Sequence, residues 1–470
     1  MKKYLSRDVI IILVAFTISR ICLKIAGVEM PYDVLFKYWQ YLDVETLQHN
    51  LVRGVWYNHA APPFYNTLLG LILKTFGVAK SEFVIASMLK LTTLTNGLLI
   101  YSILRRLPVH ARLPLLISLL YLLSPGMMVF ENELFYVTLI GTFLLIAMYF
   151  VISLQQQITW KSTLGFFIPL LLLCLTRGMY HLVWLFVISS VVIIYFMRRK
   201  GVRKLIIAAS VTLTLVGSWY VKNYIIFGNF GVTSWVGMNM ARIVFHDADM
   251  KDSTKIGAYM PFSKISTYEQ FITSNMKEKF KGVNDRDLLS EYKNDSLMNM
   301  NHIDYLEVSA KYMEANIQHI KDDPKLYMKN VVQSAITYFA PATRYSVTEF
   351  QVNKIWVYDM LYSFNLSHFS EGKQGRRITL ALSAIPKIIL YLAVFIFLVT
   401  DTIRNRRISL LNLLIVLIVG YGFVLTSLIE HYENMRFRFE VESLFLIVLA
   451  QAITAWYNKR KKKRETVVVS

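Results

Sequence analysis

The chain has 470 residues, of which 55% are hydrophobic and only 17% are charged, and its mean hydropathy is +0.43. A soluble domain has about 25% charged residues, so this chain is too apolar to cover a globule with polar surface. The composition excludes intrinsic disorder, a disulfide-stapled secreted module and a soluble nucleic-acid-binding protein. Apolar runs of about 17–25 residues, the length that crosses a bilayer core, recur along the sequence and indicate a polytopic membrane protein.

The net charge of +20 comes from the membrane part of the chain. The polar segment 222–376 has 18 Lys/Arg and 17 Asp/Glu, so the other residues hold 33 basic and 14 acidic side chains. Most of this excess lies in short loops, which is the positive-inside pattern of membrane proteins rather than a basic groove. We therefore expect no nucleic-acid partner. Both cysteines, Cys22 and Cys174, lie in apolar runs, where small buried thiols serve packing.

The apolar runs predict an all-α polytopic fold with about ten transmembrane helices. Their ranges are 9–25, 83–104, 113–129, 134–153, 163–178, 180–197, 205–221, 378–400, 408–429 and 438–457. With both termini in the cytoplasm, 21 Lys/Arg fall on the inner face, as expected for a protein of the plasma or inner membrane. This count requires that residues 62–76, which are too short to span, lie at the outer interface.

The topology divides the chain into four parts. Residues 1–221 form a transmembrane module with acidic outer loops, 222–376 an extracytoplasmic and mostly helical segment, 377–458 the C-terminal membrane helices, and 459–470 a basic cytoplasmic tail. The first outer loop comprises residues 28–82 and the second residues 130–133.

Helical spacing adds shorter elements to this division. Residues 34–53 of the first outer loop are predicted to be helical. A helix pair is predicted within segment 222–376, with 303–320 as its first helix and 325–339 as its second. The sequence Asp322-Asp323-Pro324 is typical of the start of the second helix.

Carboxylates and a histidine collect in the two outer loops. The first contains Asp33, Asp43 and His59, and the second contains Glu131 and Glu133. The simplest interpretation is a solvated first loop anchored by interfacial aromatic residues, with second-loop acids at the positive end of a helix dipole. The functional alternative is a site that binds a hydroxyl group or a cation.

Cations also occur on the outer face, where the positive-inside bias should leave few of them. They are Arg177, Lys222, Arg436 and Arg438, and we expect them to meet anions, since a guanidinium group suits phosphate. Polar neighbours of these cations complete the predicted substrate-binding set, namely Asn223 and Glu433. A base facing a phosphate is the arrangement required for glycosyl transfer from a lipid-phosphate sugar.

The sequence resembles the GT-C superfamily of membrane glycosyltransferases, near the protein mannosyltransferases and the lipid A aminoarabinose transferase. The resemblance rests on the acidic first outer loop followed by GVWYNHAAPPFY at 54–65, on Arg105-Arg106, on the acidic second loop and on Lys222-Asn223-Tyr224 before Phe227-Gly228. It covers residues 1–240 well and the last 40 residues moderately. Such enzymes transfer a sugar from a polyprenyl-phosphate donor on the non-cytosolic side and invert its anomeric configuration.

The resemblance implies roles for individual residues. Asp43 is the first choice for the catalytic acid of the first loop, with Asp33 as the alternative, and Glu131 is the acid of the second loop. The family often has adjacent Asp and Glu, whereas Val44 separates Asp43 from Glu45 here. Some members bind a divalent metal near these acids and others need none, so the metal is left open. The acceptor would be a lipid-linked glycan, a glycolipid or a protein.

Two other classes of function are alternatives to a cell-envelope glycosyltransferase. A transporter or lipid flippase would need charged or broken helices near the bilayer midplane and usually internal repeats. A non-catalytic assembly protein or receptor would depend on segment 240–376 and leave Asp43 and Glu131 dispensable. Convergence of Asp43, Glu131 and Lys222 would favour the enzyme.

Overall fold

The computed structural model describes residues 7–245, 290, 292–293 and 297–469, and it is built almost wholly of α-helices. The helices before the gap are α1 Arg7–Ile25, α2 Val34–Lys37, α3 Val44–His49, α4 Leu51–Tyr57, α5 Pro63–Leu104, α6 Leu113–Leu122, α7 Pro125–Phe130, α8 Val137–Gln156, α9 Trp160–Thr176, α10 Leu182–Tyr195, α11 Val202–Phe227 and α12 Val236–Val244. Two short antiparallel strands follow, β1 Tyr292–Lys293 and β2 Leu297–Met298.

The remaining helices are α13 Tyr305–Asp322, α14 Pro324–Phe339, α15 Glu349–Asn353, α16 Trp356–Ser363, α17 Gly372–Asn405, α18 Leu410–Ile429, α19 Asn434–Glu440 and α20 Glu442–Val469. Short 3₁₀ turns at 342–344, 346–348 and 367–369 connect some of them.

The described helices make the chain an α-helical, multi-span membrane protein. Five of them are long and apolar enough to cross a bilayer, namely α5, α8, α11, α17 and α18, and the pair α19 and α20, bent by 61°, adds a sixth if it is one broken span. Three shorter helices, α6, α9 and α10, are also apolar. Eight of the ten predicted spans fall on single helices, whereas 113–129 covers α6 and α7 and 438–457 covers the bent pair α19 and α20. The number of helices that cross the membrane stays a prediction.

Helix α5 is broken at Gly77 into a shorter and a longer part. Its 42 residues would extend about 63 Å as one helix, roughly twice the thickness of a bilayer core. Gly77 divides the helix, with φ +71° and ψ 168°, a conformation that a side chain would strain. Residues 63–76 therefore form a separate short helix before the span, as the sequence predicts. Residues 34–53 differ from the prediction, because an irregular stretch after α2 interrupts their helix.

Helix α8 lies at the centre of the membrane part. Fourteen of its 20 residues are buried, which exceeds the burial of its neighbours and explains its nearly continuous apolar sequence. Asn96 of α5 donates to the Thr138 carbonyl at 3.0 Å and accepts from the Thr142 hydroxyl at 2.6 Å. These bonds satisfy polar groups that lipid could not, and they fix α5 against α8.

The predicted inner loops meet at one end of the helices. Arg106 donates to the Ser153 hydroxyl at 3.3 Å, and Arg199 donates to the Gln155 carbonyl at 2.6 Å. The backbone of His110 donates to the Thr454 hydroxyl at 3.0 Å. The basic loops at 105–112 and 198–204 therefore share one end of the bundle, at the end of α8 opposite to the second outer loop.

Helices α12, α13 and α14 pack together above the outer end of α18. Gly237 of α12 allows the close approach, since a Cβ there would lie 1.9 Å from the Ser309 carbonyl oxygen of α13. The predicted helix pair is present as α13 and α14, and Asp323 caps α14 by accepting from the Leu326 amide at 3.0 Å. Ser334 of α14 donates to the Glu430 carbonyl at 2.6 Å and ties this three-helix module to the membrane part.

Candidate functional site

The first outer loop is in direct contact with residues 134–136, which connect the second outer loop to α8. The Tyr41 hydroxyl of the first loop donates to the Leu134 carbonyl, just beyond the second loop. The Tyr136 hydroxyl donates to Gln40 Oε1 at 3.3 Å. The rings of Tyr38 and Phe135 meet edge to face, with 5.5 Å between their centroids. The loops thus form a shared aromatic wall at one end of the apolar helices.

Arg436 of the short helix α19 faces this aromatic wall. Its guanidinium carbon lies 4.7 Å from the Phe135 ring centroid, and its Nη1 donates to the Tyr345 hydroxyl at 3.4 Å. Its Nη2 lies 2.5 Å from Glu433 Oε2. The break between α19 and α20 allows this placement, because it turns α19 away from the direction of the span. Arg436 is therefore a buried cation held by one carboxylate and by aromatic faces.

Arg242 of α12 brings the three-helix module to the same site. Its Nη1 lies 3.2 Å from Glu433 Oε1 and 3.4 Å from Glu430. Burial would raise the pKa of Glu433, but the guanidinium groups of Arg436 and Arg242 hold it below its ordinary value. Burial raises the pKa of Glu430, and Arg242 only partly offsets this. Glu433 is thus the acid held ionised between the two arginines.

Arg177, at the end of α9, completes this group of charges. It forms an ion pair with Glu440 of α19, and its guanidinium carbon lies 4.0 Å from the Phe437 ring centroid and 5.5 Å from that of Tyr136. A buried arginine at a membrane boundary requires an anion, and Glu440 supplies one. We call Arg177, Arg242, Arg436 and the acids Glu430, Glu433 and Glu440 the charged cluster.

Arg438 lies outside the charged cluster and contacts other helices. It is buried, donates to the Tyr338 carbonyl at 2.9 Å and forms an ion pair with Glu442. Lys387 of α17 lies 2.9 Å from the same carboxylate. Arg438 therefore holds α14, α17 and α20 together.

Another buried basic side chain, Lys222, lies at the outer end of α11. Lys222 donates to the Trp56 carbonyl at 2.7 Å, and its ammonium nitrogen lies 3.9 Å from the Trp219 ring centroid. Among the residues that the structure describes, no carboxylate forms an ion pair with Lys222. The next residue, Asn223, donates to the Gly231 carbonyl at 2.5 Å. Lys222 is consequently a buried amino group that contacts a carbonyl dipole and aromatic faces, and no described carboxylate stabilises its charged form.

His59 lies beside Lys222 and is a neutral imidazole. Burial, with a smaller contribution from the nearby Lys222, lowers the pKa of His59 to about 3. Its Nδ1 lies 2.9 Å from the Ser234 hydroxyl, whereas its buried Nε2 has no hydrogen-bond partner in the described part of the chain. The ring can therefore offer a hydrogen bond to a polar ligand.

The acids of the second outer loop have different surroundings. Both oxygens of Glu131 accept from Arg20 of α1 at 2.8 Å. Glu133 is 3% exposed, and its Oε1 has no hydrogen-bond partner among the residues described. Burial raises the pKa of Glu133 to about 8. Glu131 is thus an ion-paired acid, while Glu133 is a desolvated one.

The acids of the first outer loop lie nearer to solvent. Asp43 accepts from the Glu45 amide at 2.9 Å and caps α3, two residues beyond Tyr41 of the aromatic wall. Asp33 forms an exposed ion pair with Lys37 at 2.8 Å. The structure therefore brings Arg177, Glu433 and Arg436 together, whereas Asp43, Glu131 and Lys222 each bind a different group.

Several members of the site escape sequence reasoning. Arg20 offered a signal, because an arginine inside an apolar run demands a partner. Arg242 and Tyr345 lie in the long polar segment, where nothing in the sequence distinguishes them from other polar residues. Glu440 is the acid that Arg177 requires, but 263 residues separate the two.

The described residues do not fit a metal site. They contain no group of three or more His, Cys, Asp or Glu side chains arranged to hold a metal ion. Arg20 engages both oxygens of Glu131, and arginines also pair with the acids of the charged cluster.

Fold and site together define an α-helical multi-span membrane protein with a buried cluster of arginine, glutamate and aromatic side chains at one end of its helices. No protein-family model and no curated protein matches the sequence. Among solved structures, the chain is similar to ArnT from Cupriavidus metallidurans bound to undecaprenyl phosphate, with a TM-score of 0.35 and 12% identity over 94% of this chain and 78% of that one. For ArnT in the apo state the TM-score is 0.33 and the identity 13%, over 94% and 77%. These TM-scores are too low to carry a residue role or a ligand over to this chain.

Proposed function

We propose that the protein is a membrane glycosyltransferase that moves a hexosyl or pentosyl group from a polyprenyl-phosphate donor to an acceptor hydroxyl. The observation that carries this proposal is the meeting of both outer loops with Arg436 in one buried cluster at the end of the apolar helices. A lipid-linked substrate places its isoprenoid chain in the bilayer and its phosphate at the boundary. A site at this position suits such a substrate.

The cations supply what the departing phosphate needs. Lys222 is the first choice for the phosphate ligand, because no carboxylate in the described residues pairs with it and an arriving phosphate would stabilise its charged form. Arg436 and Arg242 contribute further positive charge, with Glu433 fixing their positions. Preorganised cations in a water-poor site stabilise the negative charge that develops on the leaving phosphate.

An acid of the first outer loop serves as the general base. Asp43 is half-buried beside the aromatic wall, where an acceptor arriving from outside can reach it. It would accept the proton of the acceptor hydroxyl as that oxygen attacks the anomeric carbon. A single displacement of this kind inverts the anomeric configuration. Asp33 remains the alternative base.

The other polar groups would bind the sugar. His59 Nε2, Glu133 Oε1 and Asn223 Oδ1 are buried atoms without a hydrogen-bond partner in the described structure. Sugar hydroxyls could provide the missing bonds, whose absence costs about 1–3 kcal/mol for each buried group. Arg177 and Arg438 act indirectly in this proposal, by fixing α19 through Glu440 and Glu442.

The reaction is placed on the extracytoplasmic side. The site and the basic loops lie at opposite ends of the helices, and the positive-inside rule assigns the basic end to the cytoplasm. Both termini are then cytoplasmic, and the membrane is the plasma or inner membrane. The three-helix module reaches the site through Arg242 and is well placed to recognise the acceptor, whether a lipid-linked glycan, a glycolipid or a protein.

Substitution of Asp43 by asparagine tests the proposed chemistry. Asparagine is as good a helix N-cap as aspartate, so Asp43→Asn preserves the cap on α3 while removing the base. Transfer should fall by roughly 10²-fold or more, since this is the usual contribution of a general base. The readout is mass spectrometry of cell-surface glycans from a deletion strain that expresses the parent or the variant.

Asp33→Asn is the matched comparison, because Asp33 is an exposed acid of the same loop. Full activity of Asp33→Asn beside an inactive Asp43→Asn supports the assignment. The opposite pattern would move the role to Asp33. A deletion strain with unchanged glycans under conditions that express the protein would count against glycosyl transfer itself.

A further inference from the structure

Helix α16 is amphipathic in the opposite sense to a helix on a water-soluble surface. Its outward face carries Val357, Leu361 and, just beyond the helix, Phe364, at the spacing of one helical face. Leu361 is 77% exposed, whereas Asp359 on the opposite side is 1% exposed. The inward carboxylate accepts from Asn365 Nδ2 at 2.7 Å. Water would favour the reverse arrangement, with the acid outside and the aliphatic side chains inside.

Two tyrosines fix α16 to the membrane helix α6. The Tyr358 hydroxyl donates to the Leu123 carbonyl at 2.6 Å, and the Tyr362 hydroxyl donates to the Leu120 carbonyl. These carbonyls belong to the last turn and cap of α6, where helical oxygens lack a partner in the helix. In lipid such oxygens must be satisfied within the protein, and the tyrosines satisfy them.

The two tyrosine contacts also fix the position of α16 along the axis of α6. Leu120 lies three residues before Leu123, which is about 4.5 Å along the axis of α6. Leu116 and Leu120 of α6 are themselves exposed, as expected for a helix that faces lipid. The outward face of α16 is therefore continuous with the lipid-facing surface of α6.

The preceding segment is anchored to another membrane helix. Gln351 of α15 donates to the Glu29 carbonyl at 2.5 Å, and Lys354 donates to the Gly27 carbonyl at 2.5 Å. Both carbonyls lie just after the end of α1. Phe350, which directly precedes Gln351, is 70% exposed. The whole stretch thus follows the outer rim of the membrane part rather than rising from it.

We propose that α16 is an interfacial membrane helix whose outward face, Val357, Leu361 and Phe364, is embedded at the headgroup–acyl boundary of the outer leaflet. A contiguous exposed apolar face marks a contact with lipid or protein. Lipid is the occupant favoured by the position of the face, because the face continues the lipid-facing surface of α6. Interfacial helices bury such a face about 5–10 Å into the boundary. The inference does not depend on the proposed enzymatic activity.

Site-directed fluorescence in nanodiscs tests this placement. In a background with Cys22→Ser and Cys174→Ala, Leu361→Cys is labelled with an environment-sensitive dye. The matched control is Ile317→Cys on α13, an exposed apolar position in the three-helix module. Quenching is measured with aqueous iodide and with phosphatidylcholine that carries a nitroxide near the top or near the end of an acyl chain.

At position 361 we expect strong quenching by the shallow nitroxide, weaker quenching by the deep one, and several-fold less quenching by iodide than at position 317. Strong iodide quenching at both positions without nitroxide quenching would place α16 in water and overturn the proposal. Protection of position 361 from iodide and from both nitroxides would indicate a protein partner and would also overturn it. Val357→Cys repeats the measurement if Leu361→Cys is not recovered as a monodisperse protein.

Discussion

The isolated carboxyl group of Glu133 should make the stability of the protein depend on pH. Burial raises the pKa of Glu133 from 4.5 to about 8, and no cation in the described structure offsets this. The folded protein therefore keeps the carboxyl neutral at pH values at which the unfolded chain ionises it. Between those two pKa values the unfolded state binds fewer protons, so stability falls as the pH rises from about 4.5 to about 8.

The magnitude follows from the size of this pKa difference. One pKa unit corresponds to about 1.4 kcal/mol, so the cost of Glu133 reaches about 5 kcal/mol above pH 8. Glu133→Gln removes the ionisable group while keeping its shape. Its stability advantage over the parent should therefore be small near pH 5.5 and larger by about 3 kcal/mol near pH 8.5.

Thermal denaturation in detergent at a series of pH values measures this effect. The midpoint of the parent should fall with increasing pH more steeply than that of Glu133→Gln, so that the gap between them widens. Glu314→Gln, which changes an exposed acid on α13, is the matched control and should leave the pH dependence of the parent unchanged. Identical slopes for the parent and Glu133→Gln would show that Glu133 is not desolvated as described.

Two further predictions concern buried charges. Arg20→Met should lower the thermal midpoint strongly, since removing one partner of a buried ion pair costs about 3–5 kcal/mol. Adding Glu131→Gln to this variant should restore much of the lost stability, and a double variant as unstable as Arg20→Met would contradict this coupling. Lys222→Ala should weaken binding of a polyprenyl-phosphate donor, measured by equilibrium binding in nanodiscs. Lys204→Ala should not, although Lys204 also lies on α11 and donates to a carbonyl, because it lies at the basic end; equal loss in both would argue against a phosphate site at Lys222.

The sequence predicts the helices well because the bilayer imposes their length and apolar character. Eight of the ten predicted spans fall on single helices, and the short helix 63–76 ends at Gly77. The pair α13 and α14 follows from the capping aspartate and Pro324, which are local signals. Each of these features is encoded within a few neighbouring residues.

The assembly of the site is less accessible to sequence reasoning, because it depends on contacts between distant segments. Arg242 and Glu433 are 191 residues apart, and only the packing of α12 over α18 brings them together. The exposed face of α16 escapes detection for a related reason, since its segment has a balanced charge and resembles an ordinary polar loop. Asp43, Glu131 and Lys222, whose convergence would have favoured the enzyme, each make a separate contact in the structure.

Donor turnover by the purified protein tests the proposed function most directly. The protein in nanodiscs is incubated with a polyprenyl-phosphate sugar fraction from its native membrane, and both lipids are followed by mass spectrometry. We predict that the sugar-bearing lipid is consumed and polyprenyl phosphate appears when the acceptor is present, and that Asp43→Asn slows both changes by roughly 10²-fold or more. An unaltered donor, together with movement of intact lipid-linked glycan across proteoliposome membranes, would contradict glycosyl transfer and identify a flippase.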